Sequence, residues 1–93
     1  MAVFNFTQLD SLIQMRVLFP ELTDKQFKLS FMWAWGMDLT SLAETNESSV
    51  DAVKKNLQRS RTAMGLEHVD TMRSTILLRV FVGLWENNMS KNP

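Results

Sequence analysis

Three polar residues, Thr23, Asp38 and Ser49, each stand directly ahead of a stretch with helical apolar spacing, and Gly36 and Gly65 close the first and third of those stretches. This start-and-stop punctuation confines the middle of the chain to short helices. Thr23 with Gln26 three residues on is a capping box, in which the hydroxyl accepts from the Gln26 backbone N–H and the Gln side chain reaches back to the cap. Pro20 blocks any upstream helix from running through, and Gly36 suits the left-handed end of a helix, which predicts a helix over 24–35. Asp38 caps a helix of about two turns over 39–45, with Leu42 and Ala43 inward. Asn46, Glu47 and Ser48 read as a tight polar turn, after which Ser49 caps a helix over 50–64.

Within 50–64, Val50, Val53, Leu57 and Met64 form one stripe of a 3.6-residue period and should face a core. The opposite face carries Asp51, Lys55, Gln58, Arg59 and Thr62, with Ala52 and Lys54 at its margins. A last helix over 69–85 places Val69, Met72, Ile76, Val80 and Leu84 on one side, but Leu77, Leu78, Phe81 and Val82 make it apolar elsewhere too. The alternative of a strand over 76–82 lacks a second strand to pair with. Upstream of Pro20, Leu9, Leu12, Ile13, Arg16 and Val17 predict a short amphipathic helix capped by Thr7 or Asn5, while Met15, Leu18 and Phe19 are apolar on a second side. Residues 87–93 are polar and aperiodic, a frayed tail. The expectation is an all-α single domain: a helical extension over 1–20, a core over 21–86 and the tail.

With 93 residues, 45% hydrophobic and 22% charged, the chain has the composition of one globular domain, without room for a sensor beside an effector. No Cys, no Tyr, one His and three separated Gly leave no thiolate, metal cluster or phosphate-cradling loop, so neither an enzyme nor a cofactor is expected. His68 reads as an exposed or cap-region residue rather than a ligand. The seven Met are core filler or an adaptable binding surface. The absence of a long apolar run and of a basic leader predicts a cytoplasmic protein away from membranes. Ten basic and ten acidic residues cancel, so any attraction for nucleic acid must be local.

A short capped helix, a three-residue turn and a longer helix with a basic, amide-bearing outer face make a helix-turn-helix. The second helix of such a pair enters the major groove, where Lys donates to guanine O6 and N7 and Gln pairs bidentately with adenine. The stretch 22–66 resembles the LuxR/FixJ-type, or GerE-like, helix-turn-helix domain, laid on without a gap. Leu22-Thr23 match its start, Ala34 and Gly36 the end of its scaffold helix, and Leu42-Ala43 its Ile-Ala pair. Ser49 matches its recognition-helix cap, Val53-Lys54 its Val-Lys, Leu57 the next core position and Met64-Gly65-Leu66 its Leu-Gly-Val close. The resemblance implies a four-helix domain, here with an extra N-terminal helix, whose third helix reads duplex DNA and whose fourth forms a homodimer. Carried over, Lys54, Lys55 and Gln58 face bases, and Ser49, Arg59 and Thr40 are cap or phosphate positions. Leu77, Phe81, Leu84 and Trp85 fall on the dimer helix.

Departures from the pattern carry expectations of their own. Asn46 and Ser48 replace apolar residues that pin the turn, Arg61 replaces an apolar residue of the recognition helix, Thr40 replaces a Lys and Asn56 a His. These predict looser turn packing and fewer phosphate contacts. Phe27, Phe31 and Trp35, at i, i+4 and i+8, form an aromatic ridge where the family has polar residues. Either Phe4, Phe6, Leu9, Leu12 and Ile13 fold back over it or it binds a partner. The functional expectation is a stand-alone bacterial-type transcription regulator. The other reading is a helix-turn-helix protein-interaction module that binds a second regulator or RNA polymerase.

Overall fold

Helix-starting and helix-ending chemistry recurs three times along the chain, and the computed structural model, which describes residues 13–91, shows what each instance builds. A 3₁₀ helix, Ile13–Leu18, precedes four α-helices: α1 (Asp24–Ala34), α2 (Leu39–Thr45), α3 (Val50–Ala63) and α4 (Val69–Lys91). There is no strand among the described residues, so 76–82 is helical.

Each of the first three α-helices begins on the cap read from sequence. Thr23 and Gln26 form the full reciprocal box, Asp38 accepts from the Ser41 backbone N–H at 2.7 Å, and Ser49 accepts from that of Ala52 at 3.0 Å. Each of the three also closes with the same pair of backbone bonds. In α1, Met37 N–H donates to Met32 O and Gly36 N–H to Trp33 O; in α3, Leu66 N–H donates to Arg61 O and Gly65 N–H to Thr62 O. This is the Schellman arrangement, which requires a left-handed residue just past the helix. Gly36 (φ 108°) and Gly65 (φ 71°) supply it twice. Glu47 (φ 51°) supplies it after α2, where Ser48 N–H donates to Ala43 O and Glu47 N–H to Glu44 O. Asn46 adds a side-chain bond to Leu42 O at 2.7 Å. The turn between α2 and α3 is therefore secured by hydrogen bonds where the resemblance would have apolar packing.

Helix α1 touches every other element, because it is apolar on nearly all sides and has to be covered on all of them. Phe27, Leu29, Phe31, Met32, Trp33 and Ala34 are all buried. Leu42 and Ala43 of α2, Val53 and Leu57 of α3, and Met72, Ile76 and Val80 of α4 complete the core with Phe19 and Leu22. Ser60 is buried beside them, its hydroxyl donating to Asn56 O.

The aromatic ridge is corrected by this packing. Phe27 (1% exposed) and Phe31 (3%) are interior, and only Trp35 (66%) stands in solvent. The cover over Phe27 includes Phe19, whose ring centroid lies 5.3 Å away. Of the residues expected to cover the ridge, Phe4, Phe6, Leu9 and Leu12 lie outside the described residues. Upstream of Pro20 the described chain is a 3₁₀ helix instead of an amphipathic α-helix. Its three-residue turn aligns Met15 with Leu18 against the core and leaves Val17 exposed, the reverse of the α-helical expectation. Arg79 ties this region to α4, pairing with Glu21 at 2.9 Å, donating to Leu18 O and lying 4.9 Å from the Phe19 ring centre. Gly83 sits where a Cβ would come within 2.6 Å of Leu18 Cδ1, so a missing side chain in α4 makes the seat for Leu18. Helix α4 extends past the expected end at 85 to Lys91, since no Gly or Pro interrupts 84–91. No described helix is long and apolar enough to cross a membrane.

Candidate nucleic-acid interface

The inner stripe of α3 is short-chained and tightly held: Val53 and Leu57 are buried, and Val50 and Met64 are half-buried. Rotating about 100° per residue from that stripe brings Lys55, Arg59 and Thr62 to the far side, with Gln58 and Lys54 flanking them. All five are exposed. Ser49 and Thr40, the remaining candidate contacts, are exposed as well, on α3's cap and α2's first turn. Lys54 and Gln58 occupy one side of this face and Arg59 the other.

The electrostatics along this surface are graded. Lys55 Nζ lies 3.4 Å from Asp51 Oδ2, an i,i+4 pair with both side chains largely in water. Such a pair is worth little and yields easily to a phosphate. Exposed Glu44 and Glu47 precede the cap, so the basic character belongs to the part of α3 from Lys54 onward. Asp38 is held below the ordinary carboxylate range, chiefly by the Ser41 backbone N–H that it caps.

Arg61 was read from sequence only as a departure, yet it has the densest polar contacts on α3. Its Nε–H donates to Gln58 Oε1 at 2.8 Å, and its Nη1 donates to Leu66 O at 2.7 Å, in the link to α4. The i,i+3 spacing of Gln58 and Arg61 was the signal available in the sequence.

A second surface is formed by the end of α1 and by α4. Trp35 and the outward side of α4 form an apolar groove of about 600 Å³, lined by Trp35, Leu77, Leu78, Val80, Phe81 and Leu84 together with Ser74. Phe81 is 67% exposed, Leu78 63% and Trp85 60%. Of the four α4 residues expected at an interface, Leu77, Phe81 and Leu84 line the groove with Trp35, Leu77 half-buried against the core, while Trp85 is exposed nearer the helix end. Leu78 belongs with them, being three residues before Phe81 and seven before Trp85. Phe27 and Phe31 do not contribute to this surface. Comparisons with protein-family models, with curated proteins and with solved structures find no match to the chain.

Proposed function

We propose that the protein is a DNA-binding transcription regulator of the LuxR/FixJ-like helix-turn-helix kind, with α3 entering the major groove. The observation that carries the reading is the geometry of 38–63: a capped two-turn helix, a hydrogen-bonded three-residue turn, and a longer helix with Lys54, Lys55, Gln58 and Arg59 on its free face. Lys54, Lys55 and Gln58 reach base edges; Arg59, Ser49 and Thr40 hold phosphates. In a neutral chain this attraction comes from the one local face, and the missing whole-molecule field favours the second reading below. A homodimer through Leu77, Phe81, Leu84 and Trp85, with Trp35 at the edge, brings two copies of α3 to half-sites about 34 Å apart.

The test is a titration into labelled random-sequence duplex DNA at several salt concentrations, with a Lys54→Ala/Lys55→Ala variant checked for folding. Each phosphate contact contributes about 0.9 to the log-log salt slope, so losing contacts flattens it. Wild-type binding that falls with salt, with a flatter slope in the variant, supports the reading; no binding at low salt removes it.

The exposed groove favours a second reading, a protein-interaction module that binds another regulator or RNA polymerase without reading DNA. Apolar surfaces this open mark partner sites in monomeric folds. On this reading Phe81→Lys abolishes partner capture while the Lys54/Lys55 variant leaves it intact.

A further inference from the structure

We propose that Arg61 sets which base Gln58 reads, making it a guanine reader where an unrestrained Gln would take adenine. The inference rests on the DNA-binding reading above. Arginine has only donors, so the group of Gln58 that meets Arg61 Nε–H has to be the carbonyl oxygen, and the orientation of the amide is chemically dictated. Arg61 is itself anchored: Nη1 donates to Leu66 O at 2.7 Å and lies 3.4 Å from Glu67 O, and Nη2 lies 3.4 Å from Thr62 Oγ1. Its side chain is partly buried, so the partner that orients Gln58 is not a free surface arm.

Bidentate reading of adenine needs the Gln carbonyl and NH₂ side by side toward the base, accepting from N6 and donating to N7. Arg61 lies three residues on, about 60° back around the helix and about 4.5 Å toward its C-terminus. It draws Oε1 toward that flank and leaves the NH₂ as the group presented outward. An outward NH₂ finds two adjacent acceptors on guanine, O6 and N7, but only N7 on adenine, whose N6 amino group is then left without an acceptor from Gln58. Arg61 is a positioning residue in this scheme, acting on specificity through Gln58 and through no base contact of its own.

The experiment selects binding sites for the full chain from a pool of duplexes with a randomised core, using wild type, Gln58→Ala, Arg61→Met and Arg61→Lys. Gln58→Ala identifies the position that Gln58 reads, as the one whose preference disappears. Wild type is expected to select guanine there, and Arg61→Met to shift toward adenine by about fivefold or more relative to guanine. Arg61→Lys keeps donors for the Gln58 carbonyl and the Leu66 carbonyl and is expected to retain guanine, with thermal melting checking that each variant folds. Adenine in the wild-type site, or an unchanged preference in folded Arg61→Met, overturns the inference and leaves the DNA-binding reading standing. Wild type that retains no duplex in a salt-sensitive manner overturns both.

Discussion

Helices α3 and α4 are built from similar stock and finish differently. In α3, 14 residues long, Val53 and Leu57 are buried and the far side is Lys, Gln, Arg and Thr. Helix α4, 23 residues long, buries Met72, Ile76 and Val80 just as firmly but turns Leu78, Phe81 and Trp85 outward. One helix has a side suited to water and charge; the other has an apolar side that this chain, in its described part, leaves open. The difference separates the faces that fold the domain from those that folding leaves exposed. Core burial on both helices accounts for the fold, and the two outer faces, one polar and one apolar, are free to serve recognition.

Truncating inner and outer residues of the two helices in parallel gives the largest expected effects. Ile76→Ala and Leu57→Ala should each cost about 2–5 kcal/mol in urea denaturation, the usual range for emptying a packed core position. Phe81→Ala should stay within about 0.5 kcal/mol when measured at concentrations where the chain is monomeric. A Phe81 cost as large as that of Ile76 would mean that α4's outer side is already packed within the monomer. A smaller effect sharpens the polar side: Ser49→Ala removes the acceptor for the Ala52 N–H and should cost about 1 kcal/mol, seen as a lower denaturation midpoint with an unchanged slope. The smallest effect is on pH dependence. Asp38 is held below its unfolded value in the folded state, so its contribution is complete above the ordinary carboxylate range and disappears as pH falls through the lowered folded value. Acid unfolding of Asp38→Asn should therefore lack the part of the wild-type loss that Asp38 causes, and identical acid limbs would contradict the cap's role.

Much of the backbone was legible because its signals are local. Thr23, Asp38 and Ser49 cap the helices they precede, and Gly36 and Gly65 take the left-handed conformation that ends two of them, since both effects depend on neighbours within a turn. Placing Val53 and Leu57 inward with Lys54, Lys55, Gln58 and Arg59 outward was equally local, as one helical period decides it. The candidate site was less legible. Arg61 looked like a misfit in an apolar position until the link after α3 brought the Leu66 carbonyl to its guanidinium. Phe27, Phe31 and Trp35 have the same spacing and the same chemistry, yet Phe19 and the neighbouring helices bury two of them and leave the third in solvent.

Where the α-helices begin, where the first three end, which residues of α3 point out and how charge balances over the chain are all written in the order of residues alone. These follow from interactions between residues a few positions apart. Packing between distant segments is what makes the ridge mostly core, sets Leu18 in the space over Gly83, and joins Trp35 to Phe81 along one apolar groove. Each of those depends on which helix faces which, and packing of distant segments against one another is set by the sum of the burial, not by any local run of residues.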